Sequence, residues 1–255
     1  MDLPANPLKR ALREGRPQIG LWSQLTSSTA VEVLAGSGFD FLVLDTEHAP
    51  NELPAVVAQL RAMAGGTASA VVRVAWNDAV LFKRLLDVGA QSVLVPFVQN
   101  ADEARRAVAA TRYPPHGVRG VALTSRASRY GRVRDYARRA QEELCLVVQL
   151  ETRAALANLE AIAAVEGVDV LFIGPSDLAA DMGHLGDSAH PEVRAAIEDA
   201  IRRIVATGKA AGILAFVEED ARHWLALGCR FVAVGSDVGL LARHSEALAA
   251  KFQPR

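Results

Sequence analysis

Cysteine is almost absent: Cys145 and Cys229 are the only two in 255 residues. Both lie in or beside apolar strand sequence with no metal-ligand spacing. They read as small buried hydrophobes, and neither a Cys-built metal site nor a catalytic thiol is favoured. Net charge is equally scarce, at -1, which removes any general electrostatic argument for nucleic acid or an anionic membrane as partner. Local arginine runs between Arg126 and Arg139 are interleaved with acids and tyrosines, the pattern of a solvated helix face or a subunit contact. No apolar run reaches about 18 residues, and the N-terminus lacks a basic-then-apolar signal pattern, so a soluble, cytoplasmic protein is expected. Internal repeats, low-complexity segments and linkers are also missing, which leaves residues 1–255 as one expected domain. What is present in quantity is apolar sequence, 51% of the chain, enough for a full core.

That apolar sequence is cut into short runs that alternate with helical periodicity. Strands are expected at Gln18–Leu25, Phe39–Leu44, Ala70–Ala75, Ser92–Val98, Leu144–Leu150, Val170–Ile173, Ala211–Ala215 and Phe231–Val234. Helical sequence covers residues 6–14, 27–37, 52–64, 79–88, 101–111, an alanine-rich segment after Glu151, 191–207, 218–227 and 238–251. Two loops stand out: Arg112–Ser128, rich in Pro, Gly and Arg, and the glycine-bearing Ala179–His190. A loop as long as the first is more often functional than idle. Eight strands each followed by helix predict an α/β fold, a closed (β/α)8 barrel with its chemistry where the strands end.

Unusual residues do fall at those ends. Glu151 follows the fifth strand and Asp177 the sixth, and strands joined by one helix run parallel, so both acids emerge on one edge. Two carboxylates there suit a hard divalent ion; the alternative is two independent acids capping their helices. Asp45, Glu47 and His48 follow the second strand. His48 is either a loop histidine bonded to nearby backbone or a general base, the role its ordinary pKa of about 6.5 suits. A carboxylate on its other ring nitrogen would orient it, with Asp45 and Asp87 both candidates. Arg73 interrupts VVRVA, as a structural ion pair or, as we prefer, a cation in the barrel mouth that stabilises an oxyanion. Gln149 lies late in the fifth strand. The turn Gly174-Pro175-Ser176-Asp177 has no Walker pattern, yet its free N–H groups suit a small carboxylate. Together these groups suit proton removal next to a carbonyl, with the charge taken by the ion, and then attack on an aldehyde. No lysine closes a strand at this rim, so a Schiff-base route has no nucleophile.

The segments QIGLW, FDFLVLDTEHAPN, LLDVGAQSVLVPFV, ATRYPPHGVRGV, CLVVQLET, FIGPSDLAADMG, GKAAGIL and FVAVGSD resemble, in order, the metal-dependent (class II) pyruvate aldolases of the 4-hydroxy-2-oxoheptanedioate and 2-keto-3-deoxy sugar acid aldolase family. The likeness runs from about Asn6 to Leu241. It implies a barrel of the phosphoenolpyruvate/pyruvate superfamily, a hexamer built as a dimer of trimers, and a last helix, about Val238–Ala250, swapped between subunits. It also implies reversible cleavage of 4-hydroxy-2-oxo acids to pyruvate and an aldehyde. By position, Glu151 and Asp177 correspond to ligands of Mg, Mn or Co, Gln149 to a substrate contact, and the backbone near Ser176 to the receiver of the pyruvate carboxylate. His48 matches the base, acting through a water, and Arg73 the residue that polarises the keto oxygen. Asp87, which in such hexamers can come from a neighbouring subunit, replaces Asp45 as the acid behind the histidine and leaves Asp45 a supporting role. Trp22 and Leu214 are expected as walls of the aldehyde pocket.

Three positions depart from the family pattern: Thr46 and Ala122 where Gly is usual, and Tyr130 where Trp is usual. They are expected around the aldehyde pocket or its supporting loops, and so bear on the acceptor aldehyde. Two rival readings are a CoA-ester lyase of the same superfamily, for which no nucleotide-binding surface is visible, and a non-catalytic barrel that binds a keto acid, which would have no need of a base.

Overall fold

Nearly every strand ends a few residues before a helix cap, and that local pattern builds the fold. Ser27, Asp78, Asn100, Thr152 and Ser236 each accept a backbone N–H of the helix they start, satisfying donors that have no intrahelical partner. The computed structural model describes residues 1–253; Pro254 and Arg255, the last two of the expected domain, lie outside the described residues. Its strands are β1 (Gln18–Ser23), β2 (Phe41–Asp45), β3 (Ser69–Arg73), β4 (Ser92–Val95), β5 (Cys145–Leu150), β6 (Val170–Ile173), β7 (Ala210–Leu214) and β8 (Phe231–Ser236). They pair in parallel in chain order, and β8 returns to β1 with Gln18 opposite Phe231, closing the barrel. The expected (β/α)8 architecture is therefore the observed one.

The helices are α1 (Pro7–Arg13), α2 (Ser28–Ala35), α3 (Leu53–Ala62), α4 (Ala79–Asp87), α5 (Ala101–Thr111), α6 (Tyr136–Arg139), α7 (Arg153–Ala157), α8 (Leu159–Ala163), α9 (Pro175–Asp181), α10 (Pro191–Ala206), α11 (Glu218–Ala226) and α12 (Asp237–Ala250). Among the described residues no helix is long and apolar enough to cross a membrane. α12 packs mainly on β1 and β8, and Val238, Leu240, Leu241 and Leu248 along it stay exposed.

Alternate strand residues divide the apolar side chains between two cores. Phe41, Val43, Val71, Leu94, Val147, Phe172 and Phe231 fill the barrel, and Leu8 and Leu12 of α1 plug its lower end. Phe41 and Phe231 stack there with centroids 4.0 Å apart. Their neighbours on each strand face the helices in a second, larger core. Burying side chains of this size contributes about 1.5–3 kcal/mol each, so the rim rests on a stiff base.

Several boundaries differ from expectation, each for a local reason. β4 stops at Val95 rather than Val98, because Pro96 has no N–H to donate and Phe97 turns to φ 52°. β2 starts two residues later than expected and ends one later, taking in Asp45, the register partner of Arg73. The alanine-rich helix is broken at Asn158 into α7 and α8. The loop expected from Ala179 is helical to Asp181 as the end of α9. The long loop after α5 continues past Ser128 as turns before α6 begins at Tyr136.

Candidate active site

The carboxyl ends of β2 and β3 place Asp45 directly opposite Arg73. Asp45 is fully buried. Its Oδ1 accepts Arg73 Nε at 2.8 Å and its Oδ2 accepts Arg73 Nη2 at 2.7 Å, the two-pronged pairing that fixes a guanidinium in plane. The backbone N–H groups of Glu47 and His48 also donate to Asp45 Oδ1, at 3.0 and 3.3 Å. Trp22 Nε1 and Gln24 Nε2 donate to Oδ2, each at 3.3 Å. Burial raises the Asp45 pKa, but the Arg73 hydrogen bonds and charge, with the two amides, outweigh it and leave the pKa lowered.

Arg73 does both things the sequence allowed. It is ion-paired to Asp45 and, through Nη1 at 2.8 Å, to Glu47 Oε2, and it also lines the barrel mouth. Its contact with Glu47 lacks hydrogen-bond geometry, so Glu47 Oε2 is buried without a donor. Burial, opposed by Arg73 and His48 and reinforced by Asp45 and Asp177, raises the Glu47 pKa. Trp22 lies with its ring 5.0 Å from the guanidinium carbon of Arg73, close enough for cation–π attraction.

Across the mouth, Glu151 is almost wholly buried. Its Oε1 accepts the Phe97 N–H at 2.8 Å, and Gln149 Nε2 donates to its Oε2. Phe97 aims that N–H from a left-handed backbone conformation, the kind of local strain that concentrates at functional sites. Gln149 Oε1 is buried with no donor. Gly174 closes over the pair: a Cβ there would collide with Glu151 Oε2 and come within 2.8 Å of Gln149 Nε2. Burial pushes the Glu151 carboxyl up to about 7, and the charges of Asp177 and Glu47 add to the rise against the Phe97 and Gln149 hydrogen bonds. Glu151 therefore feels the charges of two further acids, and among the described residues no cation pairs with it. That donor set fits a hard divalent cation, which would relieve the repulsion that burial now answers with a proton.

The mouth cavity, about 360 Å³, joins the two halves. It is lined by Trp22, Gln24, His48, Arg73, Gln149, Phe172, Gly174, Pro175, Ser176, Asp177, Leu214 and Phe216. Trp22, His48, Arg73, Gln149, the 174–177 turn and Leu214 all lie where the sequence placed them. Gln24, Phe172, Phe216 and the strained Phe97 were missed. Gln24 and Phe216 carry no charge or motif, Phe172 reads only as an apolar strand residue at the head of FIGPSDLAADMG, and Phe97 carries its backbone into the site.

Neither candidate acid reaches the His48 ring within this chain. Asp45 does not reach the His48 ring, because both of its oxygens are already taken by Arg73, Trp22, Gln24 and two amides. Asp87 does not reach it either. It ends α4, whose nine residues carry it roughly 13 Å down the barrel flank, and it pairs there with Arg119 at 2.8 Å. The His48 side chain is 60% exposed, with Glu47 Oε1 at 3.9 Å from Nε2. Of the three departures, Thr46 alone touches a site residue: its hydroxyl donates to the Arg73 carbonyl at 2.6 Å. Ala122 and Tyr130 do not line the mouth, since the loop that carries them follows α5 at the opposite end of the barrel.

Among the described residues, the group of His/Cys/Asp/Glu side chains whose ligand atoms converge within 4.8 Å is His184, His190 and Glu192. Its two imidazoles stack face to face at 3.6 Å, so their in-plane lone pairs run side by side rather than toward one ion, and His190 Nδ1 is taken by the Glu192 N–H.

A barrel whose mouth sets buried acids against a fixed guanidinium and an exposed imidazole defines an enzyme of carbon-acid chemistry. Residues 18–244 match the family model described as HpcH/HpaI aldolase/citrate lyase. The chain is 58% identical over 252 residues to a pyruvate aldolase of Rhizobium etli, covering 99% of both chains. It is 59% identical over 248 residues to a 4-hydroxy-2-oxo-heptane-1,7-dioate aldolase of Klebsiella pneumoniae, covering 97% of this chain and 94% of that one. The crystal structure of an HpcH/HpaI aldolase/citrate lyase family protein from Burkholderia cenocepacia superposes with a TM-score of 0.94 at 40% identity, covering 97% of this chain and 99% of that chain. The protein belongs to the HpcH/HpaI aldolase/citrate lyase family and is an aldolase, a carbon–carbon lyase.

Proposed function

We propose that the protein reversibly cleaves 4-hydroxy-2-oxo acids to pyruvate and an aldehyde, with Glu151 and Asp177 holding a divalent cation, Mg, Mn or Co. The observation that carries this reading is Glu151, buried behind Gly174 and Gln149 and raised to about 7 by burial and by the charges of Asp177 and Glu47, directly behind a mouth lined by His48, Arg73 and Asp177. Metal dependence is typical of the family. When bound, the cation would supply positive charge for the carboxylate and 2-oxo oxygens of the substrate.

The chain's own groups do the rest. His48, exposed at the rim, takes the proton of the 4-hydroxyl through a bridging water. The O–H electron pair becomes the aldehyde C=O, the C3–C4 bond breaks, and its pair forms the C2=C3 bond of an enolate. Arg73 faces the charge that gathers on the former keto oxygen, and Asp45 and Glu47 keep it from swinging away. Return of a proton to C3 gives pyruvate. The first-turn amides of α9, at Ser176 and Asp177, receive the pyruvate carboxylate, Gln149 contacts it, and Trp22 and Leu214 wall the aldehyde side.

Within this reading the acid behind His48 is Asp87 of a second copy, the position the resemblance marks; Glu47, the same-chain carboxylate beside the ring at 3.9 Å, is turned to Arg73 through its other oxygen. The uncovered apolar face of α12 suits a helix that packs on a neighbour, in a homo-hexamer built as a dimer of trimers. The test is pyruvate release from 4-hydroxy-2-oxoheptanedioate before and after chelation. Activity should vanish with the metal and return with Mg, Mn or Co; full turnover in chelator would overturn the assignment.

A further inference from the structure

Arg119 is the largest side chain fully sealed inside the protein, and the mouth chemistry makes no use of it. Its Nη2 donates to Asp87 Oδ1 at 2.8 Å. Nε and Nη1 meet no acceptor among the described residues, and the neighbouring Tyr113 hydroxyl is buried without a partner as well. The guanidinium carbon lies 4.4 Å from the Tyr113 ring centroid and 5.9 Å from that of Tyr136. A guanidinium boxed between rings, with one carboxylate oxygen for company, is an expensive way to pin a loop.

The pinning is already done elsewhere. Arg126, from the same loop, donates to the Val88 carbonyl at 2.7 Å and so caps the α4 terminus, where a cation also complements the helix dipole. What Arg119 adds is control over one side chain. Asp87 is partly exposed, with Oδ1 committed to Arg119 and Oδ2 taking no hydrogen bond from any described residue. Val118, Val121 and Leu123, on the loop that carries Arg119, are exposed apolar residues on the same flank. A carboxylate clamped by one oxygen and offered by the other, beside uncovered apolar surface, is built to be received by another chain.

We propose that Arg119 is a positioning residue: it locks the Asp87 carboxylate with Oδ2 outward, so that a second copy of the chain receives it at His48. This rests on the reading of Asp87 as the acid donated between subunits. The planar guanidinium, held over the Tyr113 ring, orients the carboxylate as a flexible ammonium would not. Arg119 touches neither substrate nor cation, and acts only through Asp87.

The experiment is a cycle on the full-length, metal-loaded protein with four variants: Asp87→Asn, Arg119→Met, both together, and Arg119→Lys. Deuterium exchange into the pyruvate methyl group gives kcat and KM, and sedimentation with thermal unfolding reports assembly. Arg119→Met should lower kcat about 10- to 100-fold, the usual effect of losing a partner one step behind a site, with KM for pyruvate changed less than about twofold. The double variant should be no slower than Asp87→Asn alone, as expected of residues acting as one unit. Arg119→Lys should recover part of kcat. Losses that multiply in the double variant, or a risen KM with kcat intact, overturn the proposal. If Arg119→Met fails to assemble, Arg119→Lys decides: a lowered kcat at intact assembly supports the role, and an unchanged kcat refutes it. A harmless Asp87→Asn would instead refute the intersubunit acid itself, and Arg119 with it; a damaging Asp87→Asn beside a harmless Arg119→Met refutes Arg119 alone.

Discussion

Replacing Glu151 by glutamine should stabilise the metal-free protein while removing its activity. The folded state holds this carboxyl at about 7 against an ordinary 4.5, chiefly because burial penalises the charge. A shift of that size is worth about 3 kcal/mol at roughly 1.4 kcal/mol per pKa unit. The sign follows from proton counts. Between about pH 4.5 and 7 the unfolded chain has released the proton that the folded one keeps, so stability falls as pH rises through this window, and the full penalty persists above it. An amide has no charge to bury and no such slope. It also keeps an oxygen for the Phe97 N–H, and a flip of Gln149 turns its partnerless Oε1 toward the new amide. In chelator at pH 8, Glu151→Gln should therefore melt roughly 6–12 °C above the parent, and the gap should close below about pH 5. Saturating Mn should raise the parent at pH 8 and leave the variant unmoved, while pyruvate release is lost. Equal melting at pH 8, or a gap that ignores pH, would refute the account of Glu151 as a buried acid waiting for a cation.

Other consequences follow from the same geometry. Gly174→Ala drives a methyl group into Glu151 Oε2 and Gln149 Nε2, so it should weaken Mn binding about 10- to 100-fold, read by calorimetry, with the melting point of the chelated protein little changed. Arg73→Lys keeps the charge but loses the planar two-pronged grip on Asp45. Pyruvate exchange should fall about 10²- to 10³-fold in kcat, as for a lost oxyanion donor, and a fall of less than tenfold would argue that Arg73 is mainly structural. Mixing refolded His48→Ala and Asp87→Asn chains, each inactive alone, should restore about a quarter of the sites if the acid crosses between copies at random. A site built within one chain would restore none.

The barrel was legible in the sequence because its signals are local. A short apolar run followed by helical sequence repeats eight times, often with a capping side chain between them, and each repeat is read without knowing the others. Glu151, Asp177 and Gln149 were legible for a related reason: parallel strands deliver their last residues to one edge, so position within a strand is position in the site. Gln24 and Phe216 escaped because they hang from loops after β1 and β7 with no charge to announce them. Phe97 escaped because its contribution is a backbone N–H, to which the side chain gives no clue.

The acid behind His48 is harder to read from sequence, for a different reason. Asp45 is three residues from the histidine, and sequence nearness favoured it. The fold uses that nearness for backbone contacts and gives both carboxylate oxygens to an arginine that arrives from the neighbouring strand. Asp87 is the position that the family resemblance marks, yet a single chain puts it a helix length away from the rim. Were Asp87 to serve His48, the fold that fixes it at the foot of α4 would require another copy to bring it there, which the chain-mixing measurement decides. The buried guanidinium of Arg119 fits the same logic: a monomer gains little from holding an outward carboxylate still, whereas an oligomer whose base depends on that carboxylate gains a catalytic contact from it.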